Sequence, residues 1–338
     1  MDKNKTLIVM DVDTGIDDAL ALILALRAPE AEVLAIGTVA GNIEAGQAAT
    51  NTLKVLDVVG VNVAGQGTGT GTRTGGGAGA VPVAVGLNKP LVRPLRTAPH
   101  VHGSDGMGDA GLAAPRGQPS GEHAVDQLVR LAHERRGEIT LVATGPLTNV
   151  AAALILAPDL PRLLKGVVIM GGAADGIGNR TPVAEANIWH DPEAARLVFE
   201  AGWPSFTMVG LDVTMTTLLR RPQLDLLRAA TPAQPVARFV AAIVAFYWER
   251  YTRLLGVEGC ALHDPLALGI ALDPSLVTEF AAFDVLVETE GALTAGMTVA
   301  DRRPLRGPGY PRPRHPIGVP LAVDADRFVA RLMRAFLE

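Results

Sequence analysis

Residues 7–24 read LIVMDVDTGIDDALALIL, and the order of residue types in this stretch decides the fold class. A short apolar run is a strand, a second apolar run is a helix, and four carboxylates in eight residues stand between them. Asp11, Asp13, Asp17 and Asp18 therefore lie where the carboxyl end of a strand meets the amino end of a helix. So much negative charge in one turn repels itself unless a positive group sits among it, and a hard cation held by carboxylate oxygens is the simple solution. Helix N–H groups at Asp17 and Asp18 help, but each such end effect is worth only about 0.3–1 kcal/mol. Ordinary N-cap acids account for one or two aspartates, not four. The stretch predicts a divalent-cation site.

Outward from this junction, strand and helix patterns alternate. Strands are expected over 6–10, 32–39, 82–85, 139–143, 167–170 and 206–209. Helices are expected over 17–27, 44–59, 123–135, 148–156, 192–200, 235–255 and 325–336. This βαβ succession predicts an α/β fold, with an open, mostly parallel sheet covered by helices on both faces. We expect one domain over 1–338. Residues 65–80 (GQGTGTGTRTGGGAGA) have almost nothing to bury and read as a flexible surface insertion. They lack the Lys-Ser/Thr ending of a phosphate-binding loop, and Val81-Pro82 follows where a helix would have to begin.

Composition narrows the function classes. Of 338 residues 48% are apolar, enough for a sizeable core, and only 4% are aromatic, so Ala, Val and Leu must fill it. A net charge of −5 without a basic run argues against nucleic acid as a partner. The apolar part of the opening MDKNKTLIVM is too short for a signal peptide. No run of 18 uncharged apolar residues suggests a membrane span. The one cysteine, Cys260, reads as core filler, forms no intrachain disulfide and fits a reducing cytoplasm.

Ligands of open parallel sheets bind beyond the carboxyl ends of the strands, so the polar residues that follow each strand carry the functional reading. They are the four aspartates, then Gly41-Asn42, Thr144-Gly145-Pro146-Leu147-Thr148-Asn149 and Gly171-Gly172. Asn179, Glu185 and Asn187 follow in the loop before the helix at Pro192, and His263-Asp264-Pro265 opens another helix. Singly, Asn42 and Asn187 read as turn residues, Glu185 as a solvated acid and His263 as a packed or capping histidine. Together, DVDTGIDD, TVAGN, ATGPLTNVA, MGG, PVAEANIWHDPEAA and HDPLAL resemble the inosine–uridine preferring nucleoside hydrolase family. The resemblance runs from Thr6 to the C-terminal helix. It departs at 65–80 and at the HGSDGMG loop, 102–108.

The resemblance implies a Rossmann-like fold and calcium-dependent hydrolysis of ribonucleosides such as inosine or uridine, by a cytoplasmic homodimer or homotetramer. It implies Asp13, Asp18, the Thr144 carbonyl and Asp264 as calcium ligands. Asp13 would also be the general base toward a water held by the cation, oriented by Asn42. Asp17 would meet a ribose hydroxyl, Asn179, Glu185 and Asn187 would bind the ribose, and Met170 would pack against the sugar. His263 would stand beside the leaving base, and Asp11 would be a supporting hydrogen-bond acceptor. Tyr247 and Tyr251, one helical turn apart, are expected to line the base pocket, and the loop carrying His102 and Asp105 to close over it. The chemistry is coherent: N-glycosidic cleavage passes through an oxocarbenium-like state that carboxylates favour, and calcium takes six to eight oxygen ligands. Two alternatives remain at this point. One is a calcium-dependent nucleoside or ribose receptor without turnover, which would need neither a base nor a leaving-group acid. The other is a phosphatase of the haloacid dehalogenase type, whose motif wants Thr or Val where this chain has Gly15.

Overall fold

Successive strand side chains point to opposite faces, and the first strand shows what that alternation builds. From β1 (Thr6–Val12), Ile8, Met10 and Val12 enter one apolar core and Val9 the other. The computed structural model describes residues 5–62, 80–303 and 315–338, so the expected insertion lies, apart from Ala80, outside the described residues. The remaining strands of the main sheet are β2 (Ala31–Thr38), β3 (Val83–Val85), β4 (Ile139–Ala143), β5 (Gly166–Met170), β6 (Phe206–Val209), β7 (Val277–Phe283) and β8 (Ile317–Val323). Their spatial order is β3-β2-β1-β4-β5-β6-β8-β7. Every neighbouring pair is parallel except β8 with β7, which is antiparallel.

Helices Ile16–Arg27, Ala45–Val59, Pro235–Leu255, His263–Leu272 and Ala325–Leu337 cover one face, and Ala124–Glu134, Thr148–Leu156 and Pro192–Phe199 the other. Residues 16–25 are all buried, as an apolar helix sandwiched between the sheet and further helices must be. Cys260 is fully buried in the same core. Among the described residues no helix is long and apolar enough to cross a membrane.

The α/β reading of the sequence holds, with local differences. β1 continues to Val12, two residues past the expected end, and so carries Asp11 within the strand. The segment before Pro192 is not all loop: Ala186–His190 is a short helix containing Asn187. Five residues do not make a stable helix alone, but the Glu185 carboxylate accepts from the N–H groups of Asn187 and Ile188 and caps the first turn.

This topology fixes where a ligand can sit. Asp11 pairs in register with Gly37 of β2 on one side and Ala143 of β4 on the other. The chain runs outward from β1 through β2 and β3, then returns to β1's other side to continue through β4. The crevice at such a switch point, beyond the strand carboxyl ends, is the ligand position of doubly wound sheets. The aspartate turn lies there.

Candidate active site

Each carboxylate at the switch point is held by a different element. Asp18, in the first turn of helix Ile16–Arg27, accepts at Oδ2 from the Gly15 N–H (3.0 Å) and at Oδ1 from the Thr144 hydroxyl (2.8 Å). Asp13 accepts at Oδ2 from the Asn42 backbone N–H at 2.6 Å. That bond requires glycine at position 41, because a Cβ there would overlap Asp13 Oδ2 and the Pro146 ring. Asp11 accepts at Oδ1 from the Asn149 carboxamide at 2.8 Å. Asp264 stands in the first turn of helix His263–Leu272.

Asp17, Asp18 and Asp264 each offer an oxygen within 4.8 Å of the others, and all three side chains are buried. Calcium–oxygen bonds of about 2.3–2.6 Å place two ligands of one ion at most about 5 Å apart. The spacing therefore fits a single hard cation. Among the described residues three buried carboxylate oxygens, Asp11 Oδ2, Asp13 Oδ1 and Asp17 Oδ1, have no hydrogen-bond partner, which is costly unless a positive charge faces them. Burial, followed by neighbouring carboxylates, raises Asp13 and Asp264 well above the ordinary range. Burial also raises Asp18, and it takes Asp17 to about 6 and Asp11 to about 7. An all-oxygen donor set, unpaired acceptors and suppressed ionisation together suit a divalent ion.

The arrangement differs in detail from the expected one. Asp17, expected on a ribose hydroxyl, belongs to the closely spaced trio. Asp13, expected as a ligand and base, lies against Asp18 with one oxygen fixed and the other unpartnered. Asn42 meets Asp13 through its backbone rather than its carboxamide. The Thr144 carbonyl accepts from Asn187 Nδ2 at 2.6 Å, which draws β4's loop and the Ala186–His190 helix together at the cavity wall.

A cavity of about 110 Å³ opens over the trio and is lined by Asp17, Asn42, Thr144, Asp264 and the side chains that follow. Met170, Asn179, Glu185 and Asn187 are among the lining residues. Glu185 accepts from the N–H groups of Asn187, Ile188 and Gly172, and burial pushes its carboxyl up to about 6. Asn187 Nδ2 also donates to the Met170 carbonyl at 3.1 Å, and Asn179 Oδ1 accepts from the Ala186 N–H at 3.0 Å.

His102, Tyr247, Tyr251 and His263 also line it and form a contiguous aromatic wall. His102 stacks on Tyr247 with centroids 5.5 Å apart, and its Nδ1 accepts from the Ile16 N–H at 3.1 Å, which places its proton on Nε2. Polar atoms link the wall to the floor. The Tyr247 hydroxyl donates to Asp17 Oδ2 at 3.5 Å and lies 3.4 Å from that of Tyr251. Tyr251 Oη is 2.6 Å from His263 Nε2, and His263 Nδ1 is 2.8 Å from Thr214 Oγ1. Burial lowers both His102 and His263 to about 4, so both imidazoles are neutral near pH 7.

The 102–108 loop brings His102 to the cavity but not Asp105. Asp105 Oδ1 accepts from the N–H groups of Met107 and Asp109, its carbonyl accepts from Asn51, and Met107 is fully buried. Sequence reasoning named Asn149 among the polar residues after β4 without giving it a role, and passed over Ala98, His100, Arg180 and His190 in the cavity lining.

Comparison with known proteins gives a consistent result. Residues 8–330 match the profile of the family described as inosine-uridine preferring nucleoside hydrolase. An inosine-uridine preferring nucleoside hydrolase of Crithidia fasciculata is 40% identical over 311 residues, covering 91% of this chain and 90% of the relative. The pyrimidine-specific ribonucleoside hydrolase RihA of Shewanella sp. (strain ANA-3) is 40% identical over 304 residues, with 89% and 88% covered. The solved structure of the plant nucleoside hydrolase PpNRh1 superposes with a TM-score of 0.85 at 31% identity, covering 98% of this chain and 99% of that one.

Proposed function

The chain belongs to the inosine-uridine preferring nucleoside hydrolase family, and from that premise we propose a calcium-dependent ribohydrolase in which Asp13 activates the attacking water and His263 assists the departing base. Hydrolysis of the N-glycosidic bond of ribonucleosides is the activity of the family, and this chain is an enzyme of that class. The observation that carries the finer reading is the buried Asp17, Asp18 and Asp264 group beneath a cavity, with unpartnered oxygens on Asp13 and Asp17 beside it.

The proposed ligands are Asp13, Asp18, Asp264 and the Thr144 carbonyl, with Asp17 shared between the cation and a ribose hydroxyl. Bound there, calcium supplies coordination positions for vicinal ribose hydroxyls and makes a neighbouring water more acidic. The chain's own residues do the rest. The Asn42 N–H fixes Asp13 Oδ2, which leaves Oδ1 to take the water's proton as the oxygen attacks C1′. Carboxylates on the floor favour the positive charge that develops on the sugar ring. Asn179, Glu185 and Asn187 hold the ribose against Met170.

The departing base takes the bond's electron pair and needs a proton. A neutral His263 hydrogen-bonded to Tyr251 can pass one, accepting at one nitrogen while releasing from the other. Among the described residues the wall of His102, Tyr247 and Tyr251 includes no tryptophan, which supports a base site that accepts uridine as well as inosine. The same reading includes a homodimer or homotetramer, open to sedimentation analysis, and a cytoplasmic setting, which suits the buried lone thiol.

The test is release of reducing ribose from inosine and from uridine, before and after removal of metal verified by elemental analysis. Loss of turnover on removal and recovery with calcium is the expected result. Full activity in metal-free protein would overturn the calcium assignment.

A further inference from the structure

Asp17, Tyr247, Tyr251, His263 and Thr214, all buried, form one hydrogen-bonded row that leads from the carboxylate floor into the core. Thr214 ends the four-residue helix Leu211–Thr214. Just beyond it the hydroxyls of Thr216 and Thr217 donate back to the Val213 carbonyl at 2.9 and 3.0 Å, the usual local recourse of such side chains. The Thr214 hydroxyl makes no such bond. Among the described residues its one partner is His263 Nδ1, at 2.8 Å. Backbone pairing keeps the two together: Leu218–Leu219 pairs antiparallel with Cys260–Ala261, and the Leu262 N–H donates to the Thr217 carbonyl at 2.9 Å.

The row has a direction, and its two ends set it. At the floor the Tyr247 O–H donates to Asp17 Oδ2, so among the described residues the Tyr247 oxygen is left to accept from Tyr251. At the other end the Thr214 O–H is fully buried, and Nδ1 is its one acceptor among the described residues. A neutral imidazole has one N–H and one lone pair. With the Thr214 proton on Nδ1, the ring's own proton stands on Nε2 and is donated to Tyr251 Oη, 2.6 Å away. Tyr251 then donates to Tyr247 over 3.4 Å, and every proton in the row has an acceptor. The reverse order, with Tyr251 donating to Nε2 and Nδ1–H donating to Thr214, strands a buried hydroxyl proton, which is costly. It also commits the Tyr251 proton to the imidazole. In the satisfied order that proton rests on a long bond, and Tyr251 lines the cavity. We propose that Thr214 is a positioning residue: through His263 it sets the Nε2–H tautomer and leaves the Tyr251 O–H free to turn to an acceptor in the cavity, the departing base.

The leaving-group part of this inference rests on the nucleoside hydrolase reading, while the tautomer does not, so two measurements separate them. The first is solid-state nitrogen NMR of the full chain labelled at histidine, with His263→Ala to identify the signals of that ring. Native protein should show His263 protonated at Nε2 and bare at Nδ1. Thr214→Val, which keeps the shape and loses the hydroxyl, should let the Nδ1–H form appear as well, and Thr214→Ser should keep the native spectrum. A native ring protonated at Nδ1 or at both nitrogens, or a spectrum unmoved by Thr214→Val, would overturn the proposal. The second is the ratio of kcat for inosine to kcat for p-nitrophenyl riboside. Loss of one hydrogen bond in Thr214→Val should lower it about 2–10-fold, with KM unchanged and the ratio restored in Thr214→Ser. Equal slowing of both substrates would show a packing role and remove Thr214 from leaving-group positioning. Failure of the native protein on every nucleoside would sink the hydrolase reading, and the tautomer spectra would still decide the Thr214 assignment.

Discussion

At the scale of single residues, the proposed mechanism gives two side chains separable parts of the reaction. Asp13 has one oxygen fixed by the Asn42 N–H and one without a partner. Asp13→Asn should therefore retain a ribose analogue far better than it retains kcat, which should fall by roughly 10²–10⁴-fold; near-normal kcat would remove Asp13 from the chemistry. His263 is the side chain proposed for the leaving-group side. His263→Ala should slow inosine strongly, yet spare p-nitrophenyl riboside, whose leaving group needs little protonation. Equal slowing of both would place His263 on the ribose or in the fold instead. The aspartate cluster was legible in the sequence because acids gathered at a strand end repel one another unless a cation joins them, whereas the roles of Asp13 and His263 came from the family resemblance alone. The link between Asp17 and Tyr247 was not legible, since no spacing rule connects positions so far apart in the chain.

At the scale of elements, the site depends on how short segments are terminated. The Ala186–His190 helix stands on Glu185, which satisfies three backbone N–H groups at once. Glu185→Ala would leave buried donors unmatched, each costing about 1–3 kcal/mol. Urea unfolding should show a clear loss of stability, with Glu185→Gln intermediate because one carbonyl oxygen remains to accept. Gly41 plays the matching part beyond β2. Gly41→Ala should displace the Asp13 carboxylate and abolish most turnover with little change in circular dichroism, and retained kcat would show that the turn can move aside. Strands and long helices were readable from period and apolar content, as in β4, where the expected 139–143 and the observed Ile139–Ala143 coincide. The Ala186–His190 helix was not, because five residues are too few for a helical period and a glutamate cap is an ordinary acid until its partners are known.

For the molecule as a whole, the carboxylate floor ties stability to pH and to the cation. Without the ion, burial raises Asp17 to about 6 and Asp11 to about 7. The folded chain then holds protons that the unfolded chain releases near pH 4, so this contribution is present at low pH and is lost as pH rises through about 6–7. Metal-free protein should show a falling Tm across that window, and calcium should restore it increasingly at higher pH, because ligation requires the ionised carboxylates. A Tm that climbs with pH in metal-free protein would contradict this. The strand order has one more consequence. The floor joins the aspartates at the first strand's end to Asp264 of a late helix, and the β1–β4 pairing between them is parallel and long-range. Parallel long-range pairing is slow to form. During biosynthesis the early aspartates must wait on the ribosome for residue 264, so ion capture marks the end of folding rather than its start. In refolding, luminescence from terbium at the proposed cation site should appear only with the last kinetic phase.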